Sequence, residues 1–200
     1  MKSNRFVSEQ ELLEQKSIAD ALACEIKPRN LTFFVETFGC QMNVRDSETI
    51  KGWLSVLGYT EAKNKESADF ILFNTCCVRD HAEKRLMGNI GALKELKDAK
   101  PGMIIAICGC MMQQEGMSKK LLKRFPHVSL IFGTNALHRF PEMMRHVFDG
   151  ERISVTDRAD DVIAEGLPKQ RDNERSAFVN IMYGCDNFCS YCIVPYVRGR

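Results

Sequence analysis

Hydrophobic and polar positions follow two alternating patterns over the first 150 residues. Short apolar runs rich in aromatic and β-branched residues predict four buried strands, at Leu31–Phe38, Phe70–Thr75, Met103–Cys108 and Val128–Phe132. Apolar residues that recur every three or four positions predict four helices, at Asn43–Leu57, from Asp80 onward, near Gln114–Arg124 and at Leu137–Phe148. Strands that alternate with helices pair in parallel, so we expect an α/β fold: an open parallel sheet with flanking helices.

Local signals mark where the helices begin and end. A further amphipathic helix is predicted over Ser8–Ala23, opened by a capping box of Ser8 and Glu11 and closed by Pro28. Asn43 is expected to cap the helix after the first strand, and Gly58 is expected to end it.

Composition divides the chain into a helical extension, the α/β domain, a charged linker and the opening of a second domain, at residues 1–30, 31–149, 150–176 and 177–200. The linker is expected to hold a short strand at Ile153–Val155. A strand at Ala177–Met182 is expected to lead into a cysteine-rich loop. Because a parallel strand needs neighbours, we expect the second domain to be truncated at Arg200.

The overall composition narrows the class of protein. Hydrophobic residues make up 44% of the chain and charged residues 27%, the balance of a folded globular protein. The apolar stretch from Met103 to Met112 is about half as long as a membrane span, and residues 1–30 lack the apolar segment of a signal peptide. We therefore expect a cytoplasmic protein with no membrane association. A net charge of +2 is too small to indicate nucleic acid binding by itself.

Nine cysteines in such a chain favour metal or redox chemistry over a disulfide framework. Cys185, Cys189 and Cys192 lie within eight residues, behind Gly184, so three thiolates are able to wrap one small group. Thiolates are the usual ligands of iron–sulfur clusters. Three ligands, rather than four, would leave one iron of a cubane open to a substrate or cofactor. The alternative is a zinc knuckle with a fourth ligand elsewhere.

A second set of cysteines is dispersed along the sequence. Cys40, Cys76 and Cys110 each follow one of the first three predicted strands. The carboxyl ends of parallel strands share one edge of a sheet, so these thiols are expected to converge on one site, with Gly39 and Gly109 allowing the tight turns that aim them. The alternative is that they are ordinary buried core cysteines.

The remaining candidates have structural interpretations. Cys24, Cys77 and Cys108 are expected to be structural, with Cys77 pointing away from its neighbour Cys76. The four histidines show no ligand spacing, and the ten methionines are expected to serve packing. Arg198 and Arg200 are suited to a phosphate or carboxylate, or equally to a solvated loop.

The cysteine motifs resemble those of the tRNA methylthiotransferase family, a branch of the radical S-adenosylmethionine (SAM) superfamily. The resemblance covers residues 31 to 148 and the opening of the next domain. In the first domain it rests on three motifs: Thr37-Phe-Gly-Cys-Gln-Met-Asn43, Asn74-Thr-Cys76 with Val78-Arg79 and Ala82-Glu83-Lys84, and Gly109-Cys110 with Gln113. In the next domain it rests on the string Tyr183-Gly-Cys-Asp-Asn-Phe-Cys-Ser-Tyr-Cys-Ile-Val-Pro-Tyr-Val-Arg-Gly-Arg200. Cys77 and Met112 differ from the usual family residues, and neither change removes a ligand. The form of the first motif is typical of members that modify N6-dimethylallyladenosine.

The resemblance implies a family N-terminal domain at residues 31–149, followed by the first strand and cluster loop of a radical SAM α/β barrel. It implies two [4Fe–4S] clusters. The cluster on Cys185, Cys189 and Cys192 would bind SAM and cleave it reductively, and the auxiliary cluster on Cys40, Cys76 and Cys110 would deliver sulfur.

The implied reaction is methylthiolation at C2 of N6-dimethylallyladenosine, next to the anticodon at position 37 of tRNA. Reductive cleavage of SAM would give a 5′-deoxyadenosyl radical, which would remove the hydrogen from C2. A second SAM would then methylate the transferred sulfur. The implied partners are tRNA and an electron donor such as flavodoxin or ferredoxin, and we expect a monomer. The stretch alone is expected to bind the auxiliary cluster without producing modified tRNA.

Other functions stay open on the sequence. A methylthiotransferase acting on threonylcarbamoyladenosine in tRNA or on a ribosomal protein is one alternative. A non-catalytic tRNA-binding module stabilised by zinc is another. A flavodoxin-like electron carrier is disfavoured, because Gly39-Cys40-Gln41 stands where a glycine-rich phosphate loop would follow the first strand.

Overall fold

The computed structural model describes residues 5–77, 80–156, 162–171 and 175–199. Over these residues the strands are β1 (Arg5–Phe6), β2 (Thr32–Phe38), β3 (Thr60–Glu61), β4 (Phe70–Thr75), β5 (Ile104–Gly109), β6 (Leu130–Phe132), β7 (Ile153–Val155) and β8 (Val162–Ile163). The α-helices are α1 (Glu9–Ile26), α2 (Gln41–Val56), α3 (Asp80–Ala99), α4 (Met117–Arg124), α5 (Phe140–Phe148) and α6 (Val194–Val197). Short 3₁₀ turns lie at Lys27–Arg29, Cys110–Gln113 and Thr134–Arg139.

The main sheet confirms the predicted α/β architecture. Its strand order is β3-β2-β4-β5-β6-β7, and all neighbouring strands run parallel. The four strands predicted from apolar runs are β2, β4, β5 and β6, and the short strand predicted at Ile153–Val155 is β7. The two-residue edge strand β3 was not predicted, because its residues are exposed and polar.

Alternate side chains of β4 enter two different cores, as the period of a strand requires. Phe70 and Leu72 pack on one face, in the core that contains Trp53 of α2. Ile71 and Phe73 pack on the other face, in the core beneath α3 and α4. Each such fully buried apolar side chain contributes about 1.5–3 kcal/mol. Burial on both faces explains why the first four residues of this strand, from Phe70 to Phe73, are all apolar.

The first helix matches its predicted start. Ser8 is the N-cap of α1, and the reciprocal hydrogen bonds between Ser8 and Glu11 complete the capping box. Pro28 lies in the 3₁₀ turn that follows the helix.

The predicted cap of α2 is wrong. The helix begins at Gln41 with Cys40 at the N-cap, and Asn43 lies inside the first turn. The Asn43 amide binds groups on neighbouring strand ends instead of its own helix, as described below. Gly58, with φ of 96°, follows the end of this helix as predicted.

Two later helices begin beyond their predicted starts. The chain leaves β5 through the 3₁₀ turn at Cys110–Gln113, so α4 begins only at Met117. The 3₁₀ turn at Thr134–Arg139 likewise takes up the start of the predicted Leu137–Phe148 helix. Pro141 lies in the first turn of α5, where a missing N–H costs no hydrogen bond.

Part of the predicted linker packs on the domain. The strand β8 pairs with β1, and the backbone N–H of Gln170 donates to the carbonyl of Glu48 in α2. A Cβ at Gly52 would lie 2.5 Å from the backbone of Pro168, so the linker crosses α2 at a bare glycine.

The predicted strand at Ala177–Met182 is wrong. These residues have no regular secondary structure, and no strand among the described residues pairs with them. The side chains of Val179 and Ile181 are 80% and 96% exposed. An apolar pattern alone does not form a strand, because its backbone groups need partners.

Across the described part of the chain, no helix combines the length and the apolar character needed to cross a membrane.

Candidate functional site

Three neighbouring strands end level with one another at the carboxyl edge of the sheet. Phe38 of β2 pairs with Thr75 of β4, and Thr75 pairs with Gly109 of β5. The next residues include the predicted ligands Cys40, Cys76 and Cys110. Because adjacent strands lie about 4.8 Å apart, this register places three cysteines on one short stretch of the edge, as the sequence predicted.

Asn43 brings two of the three sulfur atoms to one point. Its side-chain oxygen lies 3.4 Å from the sulfur of Cys40 and 3.9 Å from the sulfur of Cys110, and both thiols donate to it. Its side-chain nitrogen donates to Oδ1 of Asn74 at 2.9 Å and to the carbonyl of Thr75 at 3.0 Å. With every polar atom of its amide occupied, Asn43 is fixed in one orientation.

A buried polar network continues behind Asn43. The side-chain nitrogen of Asn74 donates to the carbonyl of Asn43 at 2.8 Å and to the hydroxyl of Ser47 at 2.9 Å. The hydroxyl of Ser47 is 2.7 Å from that of Thr37 on β2. This network ties the ends of β2 and β4 to the start of α2.

Glycine allows the close packing at this edge. Gly109 has φ of 107°, and a Cβ there would lie 2.2 Å from the carbonyl oxygen of Thr75. A Cβ at Gly39 would lie 3.0 Å from the Cβ of Cys76. The Cβ of Cys76 is therefore packed against the backbone of Gly39, the residue before Cys40. The two glycines were predicted to aim the cysteines, and only Gly109 does so through a left-handed conformation.

The prediction that Cys77 points away from the site is wrong. Its thiol donates a hydrogen bond to Cys110, and this bond lowers the pKa of Cys110 to about 7, against the effect of burial. The same bond raises the pKa of Cys77 well above its ordinary value. Donating to a neighbouring sulfur is favourable only while the donor keeps its proton.

The remaining two cysteines, Cys108 and Cys24, have different surroundings. Cys108 is buried in the sheet as predicted, and burial raises its pKa. Cys24 is exposed on α1.

Arg198 reaches the same edge from the far end of the chain. Its guanidinium donates to Oδ2 of Asp46 at 2.6 Å, to the sulfur of Cys110 at 2.9 Å and to Oδ1 of Asn43 at 3.3 Å. Of the two partners considered for it, phosphate or carboxylate, the structure supplies a carboxylate. Arg200 lies outside the described residues.

The second cysteine set forms a loop beside this edge. Cys185 and Cys192 are half-buried, and Cys189 is exposed. The backbone N–H of Cys192 donates to the carbonyl of Cys189 at 2.9 Å, and Phe188 adopts a left-handed φ of 46°. Over residues 5–77, 80–156, 162–171 and 175–199, no three His, Cys, Asp or Glu side chains are already arranged around a metal position. Both trios therefore stay predictions as ligand sets.

A small cavity separates the start of α2 from the cysteine loop. Its lining includes Arg45, Asp46, His138, Tyr183 and Arg198. The guanidinium carbon of Arg45 lies 5.9 Å from the centre of the Tyr183 ring. Burial lowers the pKa of His138, which favours its neutral form.

Sequence reasoning missed the polar residues that organise the edge. The sequence pattern assigns Asn43 to a cap, Asp46 to the first turn of the same helix and Asn74 to a family motif, and it predicts no contact between any of them and a cysteine. A usable signal was present at Asn74, an amide inside an otherwise apolar strand. A buried polar side chain must find partners, so its position at the end of β4 marks a site rather than a core.

Comparison with known proteins places the sheet in a defined family. A model of the uncharacterized protein family UPF0004 matches residues 32–133. The chain belongs to the UPF0004 family. In this UPF0004 member the matched stretch runs from the start of β2 to the residue after β6, so it contains Cys40, Cys76 and Cys110.

Curated relatives match a longer stretch of this chain than the family model does. A protein of Caldicellulosiruptor saccharolyticus named tRNA-2-methylthio-N(6)-dimethylallyladenosine synthase is 55% identical over 173 residues, which are 86% of this chain and 37% of the relative. Synthases of the same name from Clostridium tetani and Clostridium perfringens are each 54% identical over 84% of this chain and 38% of their own length. This chain therefore spans less than two-fifths of the relatives that it matches.

Proposed function

We propose that this chain supplies two cysteine ligand sets of a tRNA methylthiotransferase that acts at C2 of N6-dimethylallyladenosine, at position 37 of tRNA. The observation that carries the proposal is the level ending of β2, β4 and β5, followed on each strand by a cysteine. The names of the relatives support tRNA as the substrate. The resemblance of the cysteine motifs to the radical SAM superfamily supports the reaction type.

The residues at the sheet edge fit an iron–sulfur cluster as the auxiliary group. Thiolates are the preferred ligands of such clusters, and none of the described residues Cys40, Cys76 and Cys110 forms a disulfide. Cys40 is exposed while Cys76 and Cys110 are buried, so these three residues would hold a cluster at the boundary between the interior and the surface. The Cys110 sulfur already accepts hydrogen bonds, which favour its anionic form.

The loop cysteines fit the cluster that binds SAM. Three thiols lie within eight residues, two of them half-buried and one exposed, so three ligands would be available to one cluster and its fourth iron would be left for SAM. When bound, the two clusters supply reductive cleavage of SAM and a sulfur atom for transfer, chemistry that no side chain of this chain provides.

The protein's own contribution is placement. Asn43 holds the sulfurs of Cys40 and Cys110 on one side of the edge, and its hydrogen bonds to Asn74 and Thr75 keep it there. The buried network behind it excludes water from the back of the site. A site fixed in this way presents its ligands without reorganisation.

The remaining parts of the proposal follow from the substrate. A tRNA-modifying enzyme that works by reductive cleavage needs an electron donor, and we assign a flavodoxin or ferredoxin to that role. We also propose that it acts as a monomer in the cytoplasm, where tRNA is modified.

The test uses tRNA nucleosides from cells that lack the gene. Mass spectrometry should show N6-dimethylallyladenosine without its methylthio group, and the wild-type gene should restore that group. Genes with Cys76→Ala or Cys189→Ala should fail to restore it, whereas the matched control Cys24→Ala should succeed. Restoration by both ligand variants, or an unchanged nucleoside profile in the deletion strain, would overturn the proposal.

A further inference from the structure

The side chain of Arg198 is almost completely buried, which is rare for an arginine. It is 7% exposed, and the Asp46 side chain that it contacts is 4% exposed. Burial is the largest single effect on Arg198 and opposes its charge, but the Asp46 carboxylate and the Cys110 sulfur together outweigh burial and raise the arginine pKa. A buried ion pair of this kind is costly to break, because removal of Asp46 leaves the Arg198 charge without a carboxylate, and removal of Arg198 leaves Asp46 with the longer contact to Arg45 at 3.6 Å.

The contacts of Arg198 select a guanidinium. Its three nitrogen atoms donate to three different groups, on Asp46, Cys110 and Asn43. A lysine has a single nitrogen at the end of a flexible stem and has no planar fork with which to reach all three. The position therefore requires the shape of arginine as well as its charge.

The backbone beside Arg198 is tied to the cysteine loop. The carbonyl of Gly199 accepts a hydrogen bond from the N–H of Cys185 at 3.1 Å. One residue earlier, the carbonyl of Val197 accepts from the hydroxyl of Thr134 at 3.3 Å. Among the described residues, one path from the sulfur of Cys110 to the backbone of Cys185 therefore runs through Arg198 and Gly199.

We propose that Arg198 is a positioning residue that fastens the Cys185–Cys192 loop to the sheet edge and orients the sulfur of Cys110. It acts through the loop and through Cys110 rather than on a substrate. Its role as a fastener does not depend on the proposed function. Its effect on an auxiliary cluster rests on that function.

Hydrogen exchange on the full chain without metal tests the fastener directly. In Arg198→Lys the backbone amide of Cys185 should exchange about tenfold faster or more, because hydrogen bonds to a charged group stabilise the loop locally. Amides in β4 should keep their protection. The matched control Arg171→Ala, at an exposed arginine of the linker, should leave the Cys185 amide unchanged.

Asp46→Asn provides a second variant that keeps the shape of the partner. It should also release the Cys185 amide, although its own side chain does not touch the loop. Unchanged Cys185 exchange in both Arg198→Lys and Asp46→Asn would overturn the proposal. Equal acceleration in β4 and at Cys185 would also overturn it, since that result indicates general destabilisation.

The orientation of Cys110 is tested after anaerobic reconstitution. In a chain with Cys185, Cys189 and Cys192 replaced by alanine, Arg198→Lys should shift the electron paramagnetic resonance spectrum and the reduction potential of the remaining cluster, because hydrogen bonds to the sulfurs tune both. An unchanged spectrum and potential would overturn this half of the proposal. If no cluster assembles in either chain, the proposed function fails, and the exchange result still decides the fastener.

Discussion

At the scale of single residues, the site depends on buried polar groups that satisfy one another. Asn43 and Asn74 are fully buried, and each donates to the other's residue. Such pairs are stable while complete, but the loss of one member leaves the other unsatisfied in a dry environment. The cysteines are therefore placed by residues that carry no reactive group.

Replacement of Asn43 by alanine should lower the free energy of unfolding by about 1–3 kcal/mol, because Oδ1 of Asn74 and the carbonyl of Thr75 lose their donor. Urea denaturation measures the change. The control Asn89→Ala, on α3, should change stability by no more than about 0.5 kcal/mol. Equal effects of the two variants would contradict the role assigned to Asn43.

A Gly109→Ala substitution should lower the free energy of unfolding more than an alanine at Gly116 or Gly88, two glycines that have no close neighbours. It combines strain at φ of 107° with a Cβ 2.2 Å from the Thr75 carbonyl oxygen, and we expect a loss of at least about 2 kcal/mol. Gly116→Ala keeps only the strain, since its φ is 73° and no atom lies within 4 Å. Gly88→Ala, on α3 and likewise without close neighbours, should stabilise by about 0.5–1 kcal/mol.

Thermal unfolding of the three variants would rank them. The melting temperature should fall most for Gly109→Ala, less for Gly116→Ala and not at all for Gly88→Ala. Any other order would contradict the claim that the close approach of Gly109 to Thr75 requires a glycine.

At the scale of elements, the sequence pattern predicted the central strands well because they are buried on both faces, and length and composition then suffice. The sequence pattern predicted helix starts poorly where residues of the first turn or of the preceding turn form part of the candidate site. The start of α2 is an example: Asn43 has the composition of a cap, yet its amide is used by Asn74 and Thr75. The same holds after β5, where a 3₁₀ turn carries Cys110 before α4 begins.

The start of α1 has a testable pH dependence. The backbone N–H of Ser8, the Arg5 guanidinium and the Ser8 hydroxyl lower the pKa of Glu11 from 4.5 to about 2. A lowered folded-state pKa contributes stability above the unfolded value, and that contribution is lost as the pH falls from about 4.5 to about 2. Glu11→Gln should therefore lower the melting temperature at pH 6, with the difference vanishing towards pH 2.

The matched control is Glu9→Gln, which removes an acidic residue from the same turn outside the capping box. Its melting temperature should follow the wild type closely across the same pH range. A difference between wild type and Glu11→Gln that stays constant from pH 6 to pH 2 would rule out the capping carboxylate as its source.

At the scale of the whole molecule, the two cysteine sets are predictable from the sequence to different degrees. The spacing of Cys185, Cys189 and Cys192 is local and needs no fold. The convergence of Cys40, Cys76 and Cys110 follows from parallel topology alone, because level strand ends share an edge. The contact of Cys77 with Cys110 was not predictable, because it depends on the direction of the side chain. The contact of Arg198 was not predictable either, because this residue lies 88 positions after Cys110 in the chain.

The central claim is that Cys40, Cys76 and Cys110 together hold one iron–sulfur cluster. The most direct measurement is iron and acid-labile sulfide per chain after anaerobic reconstitution, in a chain whose Cys185, Cys189 and Cys192 are alanine. The account predicts about four of each, lost on replacement of any one of the three edge cysteines and kept in Cys24→Ala. Zinc without sulfide, or iron that survives the loss of Cys40, Cys76 and Cys110 together, would contradict it.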